Sequence, residues 1–326
     1  MSIDFAARDP LGVLASTLPV VEQANSVRIE PANFPRVAAS LRESSSAMPE
    51  WRTFPHWWSD DPALTTMYVL VLDALNFCFW GEPRWTISTP QGELNGYFAL
   101  AAALRRAIEQ EHPLLNPAWL ASVSSEQLEK VLDGDNKLPL MEERAANLRE
   151  LGTAILTRLG GESLRLISEA DGEAGQIAAS IARTCPSFLD LATLDGQEVR
   201  FFKRAQILAS DLAAALGASP PHRITGLDQL TAFADYKVPQ VLRELGLLSY
   251  APRLARRIDR QVEIPPGARE EIEIRAATIW AVESLRLELQ NQGTMLQAYE
   301  IDWLLWNLGQ SLENPRPYHR TRTIYY

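Results

Sequence analysis

A mainly α fold with at most one short β-hairpin is what this 326-residue sequence predicts, and three observations carry that expectation. Apolar residues recur at three- and four-residue spacing in segments 100–108, 140–159, 207–216 and 272–289, the period that gathers them on one helix face. Strand-like alternation is scarce: Arg84-Trp85-Thr86-Ile87-Ser88, the turn residues Thr89-Pro90-Gln91-Gly92 and segment 94–97 make one hairpin. Between the periodic segments stand Pro31, Pro35, Pro55, Pro83, Pro113, Pro117, Pro186, the pair Pro220-Pro221 and the triplet Pro265-Pro266-Gly267, each expected to break a helical pattern. No fixed-period repeat is visible, so a single helical domain over residues 1–326, with room for two lobes around a central cleft, is preferred to a solenoid. A boundary near residues 217–222 is the alternative division.

Composition narrows the function. With 46% apolar and 22% charged residues the chain has the profile of a soluble globular protein. A net charge of −10 argues against nonspecific binding of long DNA or RNA, which rests on clustered cations, so no stable nucleic-acid partner is expected. Met1-Ser2-Ile3-Asp4-Phe5 lacks the basic stretch and apolar core of a secretory signal. The most apolar run, 67–80, is too short to cross a membrane and contains Asp73 and Asn76, so a cytoplasmic location is expected. Cys78 and Cys185 each sit in an apolar segment and read as buried thiols; with no Cys or His cluster at metal-ligand spacing, neither metal nor cofactor is expected.

Taken in chain order, the first segment that could carry chemistry is Leu72-Asp73-Ala74-Leu75-Asn76-Phe77-Cys78-Phe79-Trp80. Read as helix, it aligns Asp73, Asn76, Phe77 and Trp80 on one face, where they would hold a flat polar ligand or simply satisfy one another. Next, Arg200-Phe201-Phe202-Lys203-Arg204-Ala205-Gln206 opens a helix with three cations, suited to a phosphate or to plain solvation. Since 27 of the 31 basic residues are Arg, the two lysines in singled-out segments, Lys203 and Lys237, stand out.

The most informative stretch is Phe233-Ala234-Asp235-Tyr236-Lys237-Val238-Pro239-Gln240. It sets an acid two residues from a base between two apolar runs, 227–233 and 241–248, read here as two helices and a junction. At such a junction a carboxylate meets free backbone N–H groups and stays ionised in apolar surroundings; the plain alternative is that Asp235 only caps a helix. Further on, Asp302 and Trp306 are four apart in an apolar helical segment, so a carboxylate able to accept two hydrogen bonds and an indole able to stack share one stripe. The ending, from Pro315 to Tyr326 through Tyr318, His319, Arg320 and Arg322, is basic and aromatic on an acidic chain. Tails of this kind are usually disordered, yet the local basic excess suits an anion.

Four of these segments together resemble the queuosine salvage protein family: Leu75-Asn76-Phe77-Cys78-Phe79-Trp80, Phe202-Lys203-Arg204-Ala205-Gln206, Phe233 to Gln240, and His319-Arg320-Thr321-Arg322-Thr323-Ile324-Tyr325-Tyr326. The resemblance covers most of the chain and implies a compact helical fold like that of the helix-hairpin-helix DNA glycosylases. It also implies an N-glycosidase that cleaves queuosine 5′-phosphate, a small-molecule substrate, and releases queuine for salvage into tRNA. On that likeness Asp235 takes the place of the catalytic carboxylate, Phe233 and Ala234 line the base, and Asp302 reads it. Asn76, Phe77, Trp306, Lys203, Lys237, His319 and Arg322 complete the expected substrate contacts.

The chemistry follows from that substrate. Breaking a ribose N-glycosidic bond builds positive charge on the sugar, which a nearby carboxylate stabilises. A 7-deaza base has no N7 to protonate, so it must be stabilised through its other edge, and its side-chain amine suits an acidic aromatic host. Lys203 or the tail arginines would meet the 5′-phosphate. Two other readings stay open at this point: a DNA or RNA base-excision glycosylase, which oligonucleotide binding would reveal, and a noncatalytic modified-base binder, which would not need the acid.

Overall fold

The computed structural model describes residues 8–44, 50–218 and 221–326. The segment Met1 to Phe5 and the break expected at Pro220 fall outside them. Helices dominate, and the described residues group into two units.

The first unit comprises, of the described residues, 8–44, 190–206 and 226–322. Its axis is the helix Arg269–Asn291, which contains the periodic segment 272–289. Ile274, Ala277, Ala281, Val282 and Leu285 on it join Val238, Val241 and Leu242 of the helix Lys237–Glu244 and Ile301 and Leu305 of the helix Ala298–Ser311 in one core. The helices Val13–Glu22 and Phe34–Ser44 also pack on that axis. Unusually for a core helix, Glu271, Glu273, Arg275 and Glu283 are buried too, so the axis carries charges that must be matched internally.

The second unit comprises, of the described residues, 50–189, 207–218, 221–225 and 323–326. Its helix Pro62–Ala74 starts where the Asp61 side chain accepts from Ala63 N–H at 2.8 Å and Pro62 fills a position that needs no donor. Every residue from Thr65 to Ala74 is buried. Gly96–Glu109 and Met141–Arg158 realise the periodic segments 100–108 and 140–159. The periodic segment 207–216 lies in the helix Lys203–Leu216. Cys78 and Cys185 are buried and neither forms a disulfide. Among the described residues no helix is long and apolar enough to cross a membrane.

Several expectations are corrected here. The hairpin is present, but its strands are Thr86–Thr89 and Gly92–Asn95, tightening the turn to Pro90-Gln91, and Tyr97 belongs to the next helix. It has company: Leu191–Leu194 pairs with Gln197–Arg200, and Val27–Ile29 with Leu248–Tyr250, both antiparallel. The missed hairpin turns on Asp195 (φ 50°) and Gly196 (φ 79°), an Asp-Gly pair with both residues left-handed, the geometry that matches strand twist. The helix expected through residues 72–80 ends at Ala74. Segment 227–233 is not a helix either: only Leu227–Gln229 forms a 3-10 turn, and the chain then runs without regular structure to Asp235. Pro31, Pro113, Pro117 and Pro186 open short helical turns and Pro35 sits in the first turn of Phe34–Ser44, so they start helices rather than break them. The tail is held by burial, with His319, Thr321, Thr323 and Tyr326 all buried; Ile264 N–H donates to the Arg320 carbonyl at 2.8 Å.

Candidate active site

Asp235 lies two residues before the helix Lys237–Glu244, and its Oδ1 accepts from the backbone N–H groups of Lys237 and Val238, both at 2.8 Å. The segment forms a helix here because the carboxylate satisfies two of the N–H groups a helix start leaves open, while Pro239 lies within the first turn, where it needs no donor. Val238, Val241 and Leu242 then bury one face. Capping is therefore real, and it holds one oxygen of the carboxylate in place.

Asp302 arrives from another direction. Its helix Ala298–Ser311 opens with a reciprocal box between Gln297 and Glu300, and Ile301 and Leu305 anchor it in the core. Asp302 is buried, and its Oδ1 accepts from Phe233 N–H at 2.9 Å, so the acid fixes the backbone two residues before Asp235. One of the two acceptors expected for a ligand is thus already used. Gly309, later on the same helix, allows close passage: a Cβ there would stand 2.8 Å from Val241 Cγ2 and 3.3 Å from Lys237 Cε.

Lys203 begins the helix Lys203–Leu216, with its backbone N–H on Asp190 Oδ2 at 3.2 Å. Of the three cations in that cluster, Arg200 is exposed and pairs with Glu198 at 2.8 Å, whereas Lys203 and Arg204 are buried. The solvated-turn reading fails for those two. The Lys203 charge acts on both Asp235 and Asp302.

Electrostatics separate the two acids. Burial raises the Asp235 carboxyl above its usual range, while Lys203, the amides of Val238 and Lys237 and the Lys237 charge pull it back. Burial raises Asp302 much further, the Asp235 charge adds to the rise, and only the Phe233 amide and Lys203 oppose it. Of the two, Asp302 is the better place for a proton. His319 is pushed down to about 3 by burial and by Arg275, so it is neutral near pH 7.

The remaining expected residues fall as follows. Phe233 and Ala234 are buried beside Asp235 in the chain, and the Ala234 carbonyl accepts from Arg275 Nε at 3.1 Å. Lys237 Nζ reaches Gln240 Oε1 at 3.3 Å, and Arg322 pairs with Glu263 at 3.1 Å. Trp306 packs against the core and meets Trp303 edge-on, with ring centroids 6.0 Å apart. Asn76 and Phe77 belong to the second unit, beyond the end of their helix, so the shared helical face does not exist. There Asn76 Nδ2 lies 3.5 Å from Asp73 Oδ1, and the Arg144 guanidinium sits 4.2 Å from the Phe77 ring centre while donating to the carbonyls of Leu75, Phe77 and Cys78.

Asp190, Glu271 and Arg275 were not expected. Arg275 forms a two-pronged pair with Asp190 and lies 3.5 Å from Glu271. A signal existed, since Glu271 and Arg275 are four apart at the start of a periodic helical segment, but their partner Asp190 is remote in sequence.

Comparison with known proteins agrees with this chain along its length. The sequence profile described as queuosine salvage protein matches residues 56–326. A Sphaerobacter thermophilus protein named queuosine 5′-phosphate N-glycosylase/hydrolase is 47% identical over 319 residues, 98% of each chain. Proteins of the same name from Dictyostelium discoideum and Mus musculus are 38% and 31% identical, covering 81% and 97% of this chain and 78% and 99% of their own. With a profile match over residues 56–326 and relatives matched at that identity and coverage, the chain belongs to the queuosine salvage protein family.

Proposed function

We propose that this protein is an N-glycosidase that hydrolyses queuosine 5′-phosphate, the reaction named for its relatives, and so frees queuine for salvage into tRNA. The observation that carries the reading is the buried Asp235–Asp302 pair sharing the Lys203 charge. Asp235 is the ionised partner. With Oδ1 committed to the helix amides, its other oxygen stabilises the positive charge that grows on the ribose, and either orients the attacking water or bonds C1′. Water supplies the hydroxyl that ends on C1′, and the base leaves with a proton.

Asp302, held neutral, donates a hydrogen bond to the base edge, where a charged acid would only accept. Phe233 and Ala234 form the wall that carries the base past Asp235, and Trp306 offers it a ring. The 5′-phosphate is assigned to Lys203, Lys237 and the tail pair His319 and Arg322; neutral His319 would serve as a hydrogen-bonding group. Asn76 and Phe77 are given no step. An acid at the turn before a short helix is also what a likeness to helix-hairpin-helix glycosylases would require, and that likeness is part of the proposal.

The test is mass detection of free queuine after incubation with queuosine 5′-phosphate, with queuosine, and with an oligonucleotide containing the modified base. Release from the nucleotide, well ahead of the nucleoside, is expected, because phosphate contacts help fix the sugar over the acid. Equal rates on nucleotide and nucleoside would remove the phosphate site; release from the oligonucleotide alone would replace the substrate.

A further inference from the structure

We propose that Arg275 is a positioning residue of this reaction: one buried guanidinium fastens the Ala234 carbonyl beside Asp235 and, through Asp190, the first turn of the helix that carries Lys203. The inference rests on the glycosidase reading above and adds to it a residue that touches neither sugar nor base.

The geometry uses three sides of the guanidinium. Nε donates to the Ala234 carbonyl at 3.1 Å, Nη1 to Asp190 Oδ1 at 3.0 Å, and Nη2 to Asp190 Oδ2. The same Asp190 Oδ2 accepts from Lys203 N–H at 3.2 Å, and the Asp190 carbonyl accepts from Phe201 and Phe202 N–H at 3.0 and 3.2 Å. Phe201 lies under the guanidinium, 3.8 Å from ring centre to Cζ. Its neighbour Phe202 is held at φ 49°, a backbone region a bulky residue enters only when its surroundings fix it there. One rigid fork thus ties the strand of chain before Asp235 to the start of the Lys203 helix.

The cost of burial indicates how strongly this arrangement is held. Arg275 and Asp190 are 2% and 1% exposed, and Glu271, 3% exposed, stands on the same helix. A buried pair of this kind is poor value as stability alone, since apolar residues of equal volume commonly do as well. What it does provide is fixed direction, because a planar guanidinium that donates in two directions sets the angle between its partners. Lysine offers one point charge and cannot hold both.

The experiment compares wild type, Arg275→Lys and Asp190→Asn on queuosine 5′-phosphate, with kcat and KM measured across pH and normalised to folded protein by circular dichroism. In Arg275→Lys the charge survives but the fork is lost, so kcat is expected to fall about tenfold to a hundredfold, the scale of misplacing a catalytic group by an ångström. The kcat loss should exceed the rise in KM. Its acid limb should move to higher pH, because a loosened Asp235 loses the alignment with the Lys237 and Val238 amides that favours its ionised form. Asp190→Asn should show the same signature more weakly, and it decides the matter should Arg275→Lys not fold. A folded variant with wild-type kcat and acid limb would overturn the proposal, as would a loss that follows only the folded fraction with the pH profile unmoved. Wild-type protein that releases no queuine would instead overturn the glycosidase reading, and that is visible before any variant is compared.

Discussion

Asp235 and Asp302 are both buried carboxylates that feel Lys203, yet the chain delivers them so differently that burial raises the Asp302 carboxyl well above its usual range while more donors pull the raised Asp235 carboxyl back. Asp235 sits on irregular backbone at the mouth of a helix, where two amides converge on one oxygen and a second lysine lies two residues on. Asp302 projects from the second turn of an established helix, where intrahelical bonds already use the local amides, and among the described residues only Phe233 N–H donates to it. A helix start offers donors and a helix interior does not. The lesson is that backbone position adds to burial and to neighbouring charge in separating two acids: two amides favour the Asp235 carboxylate, and one favours that of Asp302.

Four changes would break or sharpen this contrast. The largest effect is expected for Asp235→Asn, which keeps an oxygen for the two amides and deletes the charge. Its melting temperature should stay near wild type while kcat falls roughly a hundredfold or more, the scale of losing one electrostatic stabiliser. Steady-state kinetics on the folded variant would check this, and near-normal turnover would move the catalytic role to Asp302. Gly309→Ala comes next, because its Cβ intrudes on Val241 and Lys237 where the two acids' helices meet. Overpacking of this sort costs about 1–3 kcal/mol, and denaturant unfolding should show it.

Queuine affinity in Asp302→Ala is the third test. A neutral hydrogen bond contributes about 0.5–1.5 kcal/mol and a charged one about 1.5–3, so calorimetry should find the smaller loss. The smallest effect concerns stability against pH. A carboxyl whose folded-state pKa is raised contributes stability that is complete below the unfolded value and disappears as pH climbs through the folded one. Asp302 is raised well above its usual range and Asp235 less so, so the wild type should lose more stability over that interval than Asp302→Asn does. Melting curves from mildly acidic to alkaline pH would show the two proteins diverging as pH rises; parallel curves would mean Asp302 is not the protonated partner.

Much of the candidate site's local geometry was legible because its signals are local. Asp235 and Lys237 stand out from apolar neighbours, and Asp302 with Trp306 shares a stripe that the helix Ala298–Ser311 reproduces. Helical periods at 100–108, 140–159 and 272–289 were likewise readable, since each helix shows its own amphipathic face. What escaped depends on distant partners. Leu230, Ala232, Phe233 and Ala234 are apolar, as the buried face of a helix would be, but their backbone is held open by Asp302 at Phe233 and Arg275 at Ala234, contacts that join remote segments. The tail was judged by its polarity, whereas burial of His319 and Thr321 fixes it. The Asp195-Gly196 hairpin is a different case: its Asp-Gly turn signal is local and could have been read from the sequence.

The most direct test of the central contrast is a titration of the two carboxyl carbons by NMR in protein labelled at aspartate, assigned by loss of each signal in Asp235→Asn and Asp302→Asn. The pair should titrate in two coupled steps, with the upper step chiefly on Asp302 and with that step moving down when Asp235 is replaced by Asn and its like charge is removed. An Asp302 signal that ionises before Asp235, and that stays where it is in Asp235→Asn, would contradict the account.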